Sequence, residues 1–379
     1  MDVVTAVAPE VTVRPAVPRD NDALCRLFAS VSMESDLDLA IRRDPDFFAL
    51  YRIQGPQWEC WLGETDERLA GLGAILVRDG YLDGRSVRVG YLGDLRVASE
   101  LQGRKLVPRF YGPVLRDAAE RFDCDVFLTT IIASNRRAIR ALTGPRAREA
   151  GIPPYEFVRS FGIRAVYLTV PLPWMRTHYR VERGTESSLS EIASFLDADG
   201  RRRPFGYAFD ETELRRRLAE WPGLEISSFY LARDPNGALV GCAAVWDPHD
   251  VKRTVVRGYA GGMRRVRRVY NAAAATLRFS PLPAPGSELR YSYATHVAVP
   301  SGDPAVLRAL MRRIYDDQRK TGRTFVAFCA FDDDPLGAAF RGFPYTDLKT
   351  NLYAVPAPGR DLPPGCFAAG PPGFEMALV

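Results

Sequence analysis

Apolar and polar positions change rhythm along this chain in an order that occurs twice. From Val11 the text VTVRP alternates with the period of a half-buried strand. Asp20 or Asn21 then caps a helix with Leu24, Leu27 and Phe28 on one face. A second helical segment is predicted over 37–51, broken near Asp44-Pro45. The stretches WECWLGETDERLAGLGAILVRDG and SVRVGYLGDLRV read as three successive antiparallel strands, turning at Thr65-Asp66 and at Asp79-Gly80. The third strand ends in the run from Tyr91 to Val97. A polar turn holding Gln102, Gly103, Arg104 and Lys105 follows, then an amphipathic helix from about Val107 to Arg121. Beyond it lie a β-forming run from Cys124 to Ile132, a short helix after Asn135, a Pro- and Gly-broken loop through Pro154, and the strand YEFVRSFGIRAVYLTV.

The second half repeats this plan. HYRVERGTESSLSEIASFLDAD gives a strand and a helix capped within Thr185 to Ser188. FYLARDPNGALVGCAAVWD is a hairpin turning at Pro235-Asn236-Gly237, and it aligns Gly241 with Gly71. ATHVAV takes the place of GDLRV, a helix is predicted from Pro304 to about Lys320, TFVAFCAF answers DVFLTTII, and YTDLKTNLYAV answers YEFVRSFGIRAVYL. Agreement in element order from end to end is most simply explained by an internal duplication.

The chemistry concentrates at the strand, turn and helix around residues 91–111. Pro108 in a first helical turn costs little, because the N–H it lacks has no intrahelical partner there. Free backbone N–H groups, the positive end of the helix dipole, Arg104 and Lys105 would then converge on one spot suited to a diphosphate. Such units also occur without any phosphate in ordinary α/β proteins, so this reading stands beside a purely structural one.

The wording of the stretch resembles motif A of the GNAT superfamily of acyl-CoA-dependent N-acetyltransferases, in which a D/E-L-x-V strand leads into Q/R-x-x-G-x-G/A and a helix. Asp94-Leu95-Arg96-Val97 matches the strand and Gln102-Gly103-Arg104 opens the loop. Lys105 and Val107 depart from it, standing where the family usually has Gly and Gly or Ala. Asn135 with Ala138 and Ile139 resembles the start of motif B. The resemblance implies that the backbone of Leu95, Arg96 and Val97 faces the pantetheine and thioester, with Asn135 near the pantetheine. It also implies that Gln102, Gly103, Arg104, Lys105, Leu106 and Val107 hold the pyrophosphate. Asp94 is then the candidate base, or else a carboxylate that only fixes strand register. The family's usual Tyr acid is absent from the helix after Asn135, where Leu142 and Thr143 stand, and Tyr155 is the substitute candidate. Asp36, Asp38, Phe47 and Phe48 lie where the family has one wall of its acceptor site, although the two aromatics read more simply as core. Among tandem relatives, the N-myristoyltransferases use their C-terminal carboxylate as the base, which makes Val379 a further candidate.

Bulk properties narrow the picture. The chain has 379 residues, enough for two domains, with 46% hydrophobic and 26% charged residues, as in ordinary globular proteins. No apolar run approaches membrane-spanning length, and the N-terminus lacks a basic region followed by an apolar core, so a cytoplasmic protein without a membrane partner is expected. The six cysteines, Cys25, Cys60, Cys124, Cys242, Cys329 and Cys366, are scattered singly. Their spacing suggests reduced core residues rather than a disulfide framework or metal site. His178, His249 and His296 are too far apart to suggest a metal cluster. Net charge is only +5, which argues against nucleic acid as partner. Residues 91–180 nevertheless hold 15 Lys/Arg against 8 Asp/Glu, reversing the 10 against 15 of residues 1–90.

The copies differ where chemistry would lie. The second has PSGDPAVL after its ATHVAV strand, with an acid and no Lys or Arg. It also carries an Arg-rich insertion with Lys252, Arg253, Arg257, Arg264, Arg265, Arg267 and Arg268. That insertion reads either as a solvated amphipathic helix or as a patch for an acidic acceptor or the 3′-phosphate of coenzyme A.

The expected architecture is therefore α/β: two GNAT-like domains, each a mixed, mostly antiparallel sheet flanked by helices. Residues 1–10 form a leader, 11–172 the acyl-CoA-binding domain, 173–177 a linker, 178–355 a degenerate copy and 356–379 a Pro/Gly-rich tail. The implied function is acyl transfer, most simply acetyl transfer, from acetyl-CoA or another acyl-CoA to a small-molecule or peptide amine. No metal is needed, and a homodimer is left open. The alternatives are an acyl-CoA-binding pseudoenzyme or sensor, and a GNAT-shaped scaffold without coenzyme A binding.

Overall fold

In the computed structural model, which describes residues 11–30, 37–65, 68–98, 107–175 and 177–379, the alternating segments form strands and most helically spaced ones form helices. The first half runs β1 (Thr12–Pro15), α1 (Asn21–Ser30), β2 (Leu37–Arg42), α2 (Ala49–Gln54), β3 (Gln57–Thr65), β4 (Arg68–Leu82), β5 (Arg85–Val97), α3 (Val107–Phe122), β6 (Val126–Ile132), α4 (Arg136–Thr143), α5 (Pro145–Glu149) and β7 (Glu156–Tyr167). The second half runs β8 (Arg180–Arg183), α6 (Leu189–Gly200), β9 (Gly206–Tyr207), α7 (Glu211–Glu220), β10 (Phe229–Arg233), β11 (Leu239–Trp246), β12 (Arg253–Tyr259), α8 (Met263–Leu277), β13 (Tyr291–Ala298), α9 (Pro304–Gln318), β14 (Phe325–Phe331) and β15 (Tyr345–Pro356).

Two local expectations are corrected. Residues 37–42 form a strand rather than a helix, because Leu37, Leu39 and Ile41 alternate and β2 pairs with β12, Leu37 opposite Tyr259 and Arg42 opposite Arg253. The β4–β5 turn lies at Asp83-Gly84, not Asp79-Gly80: β4 continues to Leu82, and Asp83 and Gly84 take the positive φ values of 49° and 71° that an Asp-Gly hairpin turn requires. Phe47 and Phe48 pack in the core with Phe28 and Tyr51. Asp36 and Asp66 lie outside the described residues.

The main sheet has thirteen strands, in the order β1-β3-β4-β5-β6-β15-β7-β14-β13-β11-β10-β8, with β9 on β4. All its pairs are antiparallel except β5 with β6 and β13 with β14. The succession β1, α1, β3, β4, β5, α3, β6, β7 is matched by β8, α6, β10, β11, β13, α9, β14, β15. The last strand of each run sits beside the other half: β15 pairs with β6, β7 pairs with β14, and β7 and β15 pair with each other. Sheet hydrogen bonds therefore run without a break through both halves, and neither half completes its own sheet.

Helices cover both faces. α3 buries Leu115, Ala118 and Ala119 against Phe127 and Ile131, and α9 buries Val306, Leu310 and Ile314 against Val326 and Phe328. α1 and α2 close over Leu62, Leu72 and Leu76 on the opposite face from α3. The tail packs inward: Met376, Ala377 and Leu378 join the core of α6, β11 and β13, while Phe374 meets Tyr91 and Phe161. Arg78, stacked 3.5 Å over Tyr207, donates to the carbonyls of Phe205 and Gly373 and so ties β4 to the tail.

Candidate functional site

β5 and β6 are hydrogen-bonded only where Val89, Gly90 and Tyr91 lie opposite Val126, Phe127 and Leu128. Past Tyr91 the two strands part, and β5 continues against β4 alone. At the mouth of this wedge Thr129 donates to the Leu92 carbonyl at 2.8 Å, and the Tyr91 and Thr130 hydroxyls meet at 3.1 Å. Just beyond, the β4–β5 register slips, and Asp94 adopts φ 54°, a left-handed value that Asp tolerates better than most residues. Gly71 is needed opposite this bulge, since a Cβ there would come within 2.7 Å of the Arg96 carbonyl oxygen.

The Asp94 carboxylate is fixed by two groups that sequence reasoning missed. Arg43, from the loop after β2, reaches its Oδ2 at 2.7 Å, and the Tyr51 hydroxyl donates to the same oxygen at 2.7 Å. The Arg43 side chain is 3% exposed and lies 4.5 to 5.2 Å from the ring centres of Phe28, Phe47 and Tyr51. Desolvation works against its charge, yet Asp94 and Tyr51 outweigh it and hold its pKa up. Burial, then Asp94, pushes the Tyr51 phenol well above its ordinary value, so Tyr51 remains a donor.

A second cation lies close by. Because Arg253 pairs with Arg42 across β12 and β2, Lys252 comes alongside Arg43. Its Nζ donates to an oxygen of Val379 at 2.5 Å and sits 5.0 Å over Tyr293. Desolvation, then the Arg43 charge, lowers the Lys252 pKa to about 7. Between β5, β9 and the tail remains a cavity of about 30 Å³, room for one water, lined by Gln54, Tyr91, Leu128, Tyr207, Glu375 and Val379.

The other sequence-derived residues fall as follows. Leu95 is 42% exposed at the end of β5, Arg96 lies 3.7 Å over Phe28, and Val97 pairs with Gly71. Val107 is the first residue of α3, whose first turn carries no acid. Gln102, Gly103, Arg104, Lys105 and Leu106 lie outside the described residues. Asn135 caps α4, its carboxamide accepting from Ala138 N–H at 3.0 Å. Tyr155 is not brought to Asp94. It is buried behind α3, its hydroxyl 2.6 Å from that of Tyr111, and burial pushes its pKa up.

The second half repeats the wedge and then fills it. β13 and β14 pair only where Tyr291, Ser292 and Tyr293 face Phe325, Val326 and Ala327. The β11–β13 register slips at the corresponding place, with His296 at φ 52°. The His296 N–H donates to Glu375 Oε2 at 3.0 Å, and Thr295 Oγ1 donates to the same oxygen at 2.6 Å. The imidazole is set between Phe209, Trp221 and Phe229, with Nε2 3.0 Å from Arg217 and Nδ1 3.0 Å from Thr295 Oγ1. Desolvation, then the Arg217 charge, drives its pKa well below the ordinary value, so the ring is neutral. Nε2 then accepts from Arg217, and Nδ1–H donates to Thr295. The next helix, α9, is capped by Asp303, which accepts from Ala305 N–H at 2.8 Å. Among the described residues no group of three or more His, Cys, Asp or Glu could hold a metal ion.

Residues 22–143 match the family model of the GNAT acetyltransferases. Over nearly the whole chain the fold is similar to that of Saccharomyces cerevisiae N-myristoyltransferase with bound myristoyl-CoA, at TM-score 0.59 and 12% identity, covering 94% of this chain and 84% of that one. It is also similar to a GCN5-related N-acetyltransferase from Sphaerobacter thermophilus, at TM-score 0.57 and 16% identity, with 93% and 98% covered. A tandem GNAT protein from the clavulanic acid biosynthesis pathway gives TM-score 0.53 and 13% identity, with 93% and 100% covered. No curated protein matches at a significant level.

Proposed function

We propose that this chain, GNAT in fold and matching that family's model over residues 22–143, is an acyl-CoA-dependent N-acyltransferase whose donor site lies in its first half. The observation that carries the reading is the wedge opened where β5 leaves β6, with the bulge at Asp94 beside it and the basic turn Gln102 to Val107 next in sequence. In this reading the pantetheine enters the wedge, and backbone N–H groups of Leu95, Arg96 or Val97 bind the thioester oxygen as it gains charge. Arg104, Lys105 and the N-terminus of α3 hold the diphosphate. The amine comes from the side of Tyr51, Asp94 and Lys252. Asp94 supplies a counter-charge for the ammonium and keeps the bulge in place, while Lys252, with its lowered pKa, takes up the proton released on attack. Tyr155 has no part in this scheme, because a thiolate leaves without an acid. Residues 11–172 form the donor domain, residues 178–355 a degenerate copy that shapes the acceptor side, and acetyl-CoA is the simplest donor.

The departures at Lys105 and Val107 favour a second reading, an acyl-CoA sensor without turnover. Calorimetric titration with acetyl-CoA and longer acyl-CoAs decides between them. Micromolar binding that weakens about 100-fold or more in Arg104→Ala/Lys105→Ala, with turnover of at least one amine in a panel, supports the enzyme. Binding without turnover favours the sensor, and no binding by the intact chain overturns both.

A further inference from the structure

Between Val251 and Ser287 the sequence holds eight cations and no acid. Three of these are engaged within the fold: Lys252 with Val379, Arg253 with Asp44 and Arg257 with the Ala29 carbonyl. Most of the rest are on α8, which rests lightly on the body of the protein and buries only Ala274. Arg264 and Arg267 fold back onto the carbonyls of Tyr259 and Pro283, and Asn271 is used up by Leu282. Arg265 and Arg268 point outward with no side-chain partner among the described residues. Beside them Val266, Val269 and Leu277 are 51%, 72% and 56% exposed, and helical spacing puts these three along one flank with Ala273.

We propose that α8 is a docking surface for an anionic phospholipid headgroup layer, into which its valines and leucine insert while Arg265 and Arg268 meet the lipid phosphates. Three observations select this occupant. Unpaired guanidinium groups call for a negatively charged partner, and none is supplied by the described residues. A second copy placed on the same face would set Arg265 and Arg268 against their own equivalents, which opposes self-association. The outer face also presents no acid and no free carboxamide, so it offers cations and aliphatic surface but few directional groups. That suits a plane of diffuse charge over a hydrocarbon interior better than a shaped partner. The contact is peripheral, since no described helix is long and apolar enough to cross a membrane.

Co-sedimentation of the full chain with vesicles of phosphatidylcholine alone, or mixed with phosphatidylglycerol, tests this. Binding should require phosphatidylglycerol and weaken as salt is raised. Arg265→Glu/Arg268→Glu should lower the partition coefficient about tenfold or more, and Val266→Asp/Val269→Asp should lower it comparably. All four positions lie on the surface, so unchanged thermal melts verify that the variants are folded. Equal binding to neutral vesicles, or full retention in either double variant, overturns the proposal. So does a concentration-dependent dimer that Val266→Asp/Val269→Asp abolishes, or tighter binding to single-stranded RNA than to the mixed vesicles.

Discussion

The wedges after Tyr91 and after Tyr293 have the same construction and opposite contents. Each lies between two parallel strands that pair over three residues and then separate, and each is followed by a bulge with one non-glycine residue at positive φ, Asp94 or His296. In the second wedge the chain supplies its own carboxylates: Glu375 takes the bulge N–H of His296, and Asp303 takes the N-terminus of α9. A thioester oxygen and a diphosphate would seek those same two positions in the first wedge. There α3 has no acid in its first turn, and Asp94 is turned aside by Arg43 and Tyr51. One copy has thus closed on internal anions, whereas in the proposed reading the other leaves both positions to an anion from outside.

The largest effect should come from the ion pair that holds the first bulge. Asp94→Asn preserves shape and tolerance of positive φ but leaves Arg43, 3% exposed, without a counter-charge. Unfolding free energy in urea should fall by about 3–5 kcal/mol. A loss below about 1 kcal/mol would mean that Arg43 finds water or another partner, and the comparison would lose its first term.

The second bulge should respond to pH, because it carries two groups with displaced pKa values. Burial raises the Glu375 pKa, so the stability it contributes is full below the ordinary value of 4.5 and is lost as pH climbs through its folded value. His296 is displaced the other way: its contribution is present above 6.5 and is lost as pH falls toward its folded value. The two slopes oppose each other where their windows overlap. Glu213, held below its ordinary value by Arg216 and Arg217, stays ionised, and burial keeps the Tyr207 phenol neutral, so neither adds a slope. Glu375→Gln keeps an acceptor for His296 N–H and Thr295 and removes one slope. Stability should then drop by up to about 1.4 kcal/mol per pH unit below pH 6.5. Urea melts from pH 5 to 8 would measure it, and a variant whose stability does not fall below pH 6.5 would show that His296 does not govern this region.

What could be read in the sequence was what short-range pattern encodes. The duplicated order of elements, the hairpin at Pro235-Asn236-Gly237 and the helix beginning at Val107 all follow from local periodicity and turn chemistry. The exchange of β7 and β15 could not be read, because both strands alternate in the same way and nothing local says which half each will pair with. Asp94 was visible because it lies in a motif. Its partners Arg43 and Tyr51 come from a loop and a short helix some 40 to 50 residues earlier, and only the fold brings them together. Residues 37–42 were misread because the Asp44-Pro45 break suggested an interrupted helix, whereas β12, more than 200 residues away, decides the conformation. Lys252 looked like one more cation in a basic stretch, and only its burial beside Arg43 sets it apart.

The smallest effects distinguish the two helix N-termini most sharply. Asp303→Ala removes a cap and a partner of the Tyr179 hydroxyl, so stability should fall by about 1 kcal/mol, while acyl-CoA affinity should stay unchanged if, as proposed, the donor binds in the first half. The reciprocal change is Val107→Asp, which puts a carboxylate at the start of α3, one position further in than Asp303, the N-cap of α9. It should stabilise the fold by about 0.3–1 kcal/mol through the helix dipole. It should also weaken acyl-CoA binding, since the new carboxylate competes with the diphosphate for the same N–H groups and repels its charge. Stability and affinity would then move in opposite directions in one variant, which neither a general folding defect nor a merely structural α3 terminus can produce. If both rise together, or affinity does not change, the N-terminus of α3 is not where the anion binds, and the two wedges differ only in what fills them.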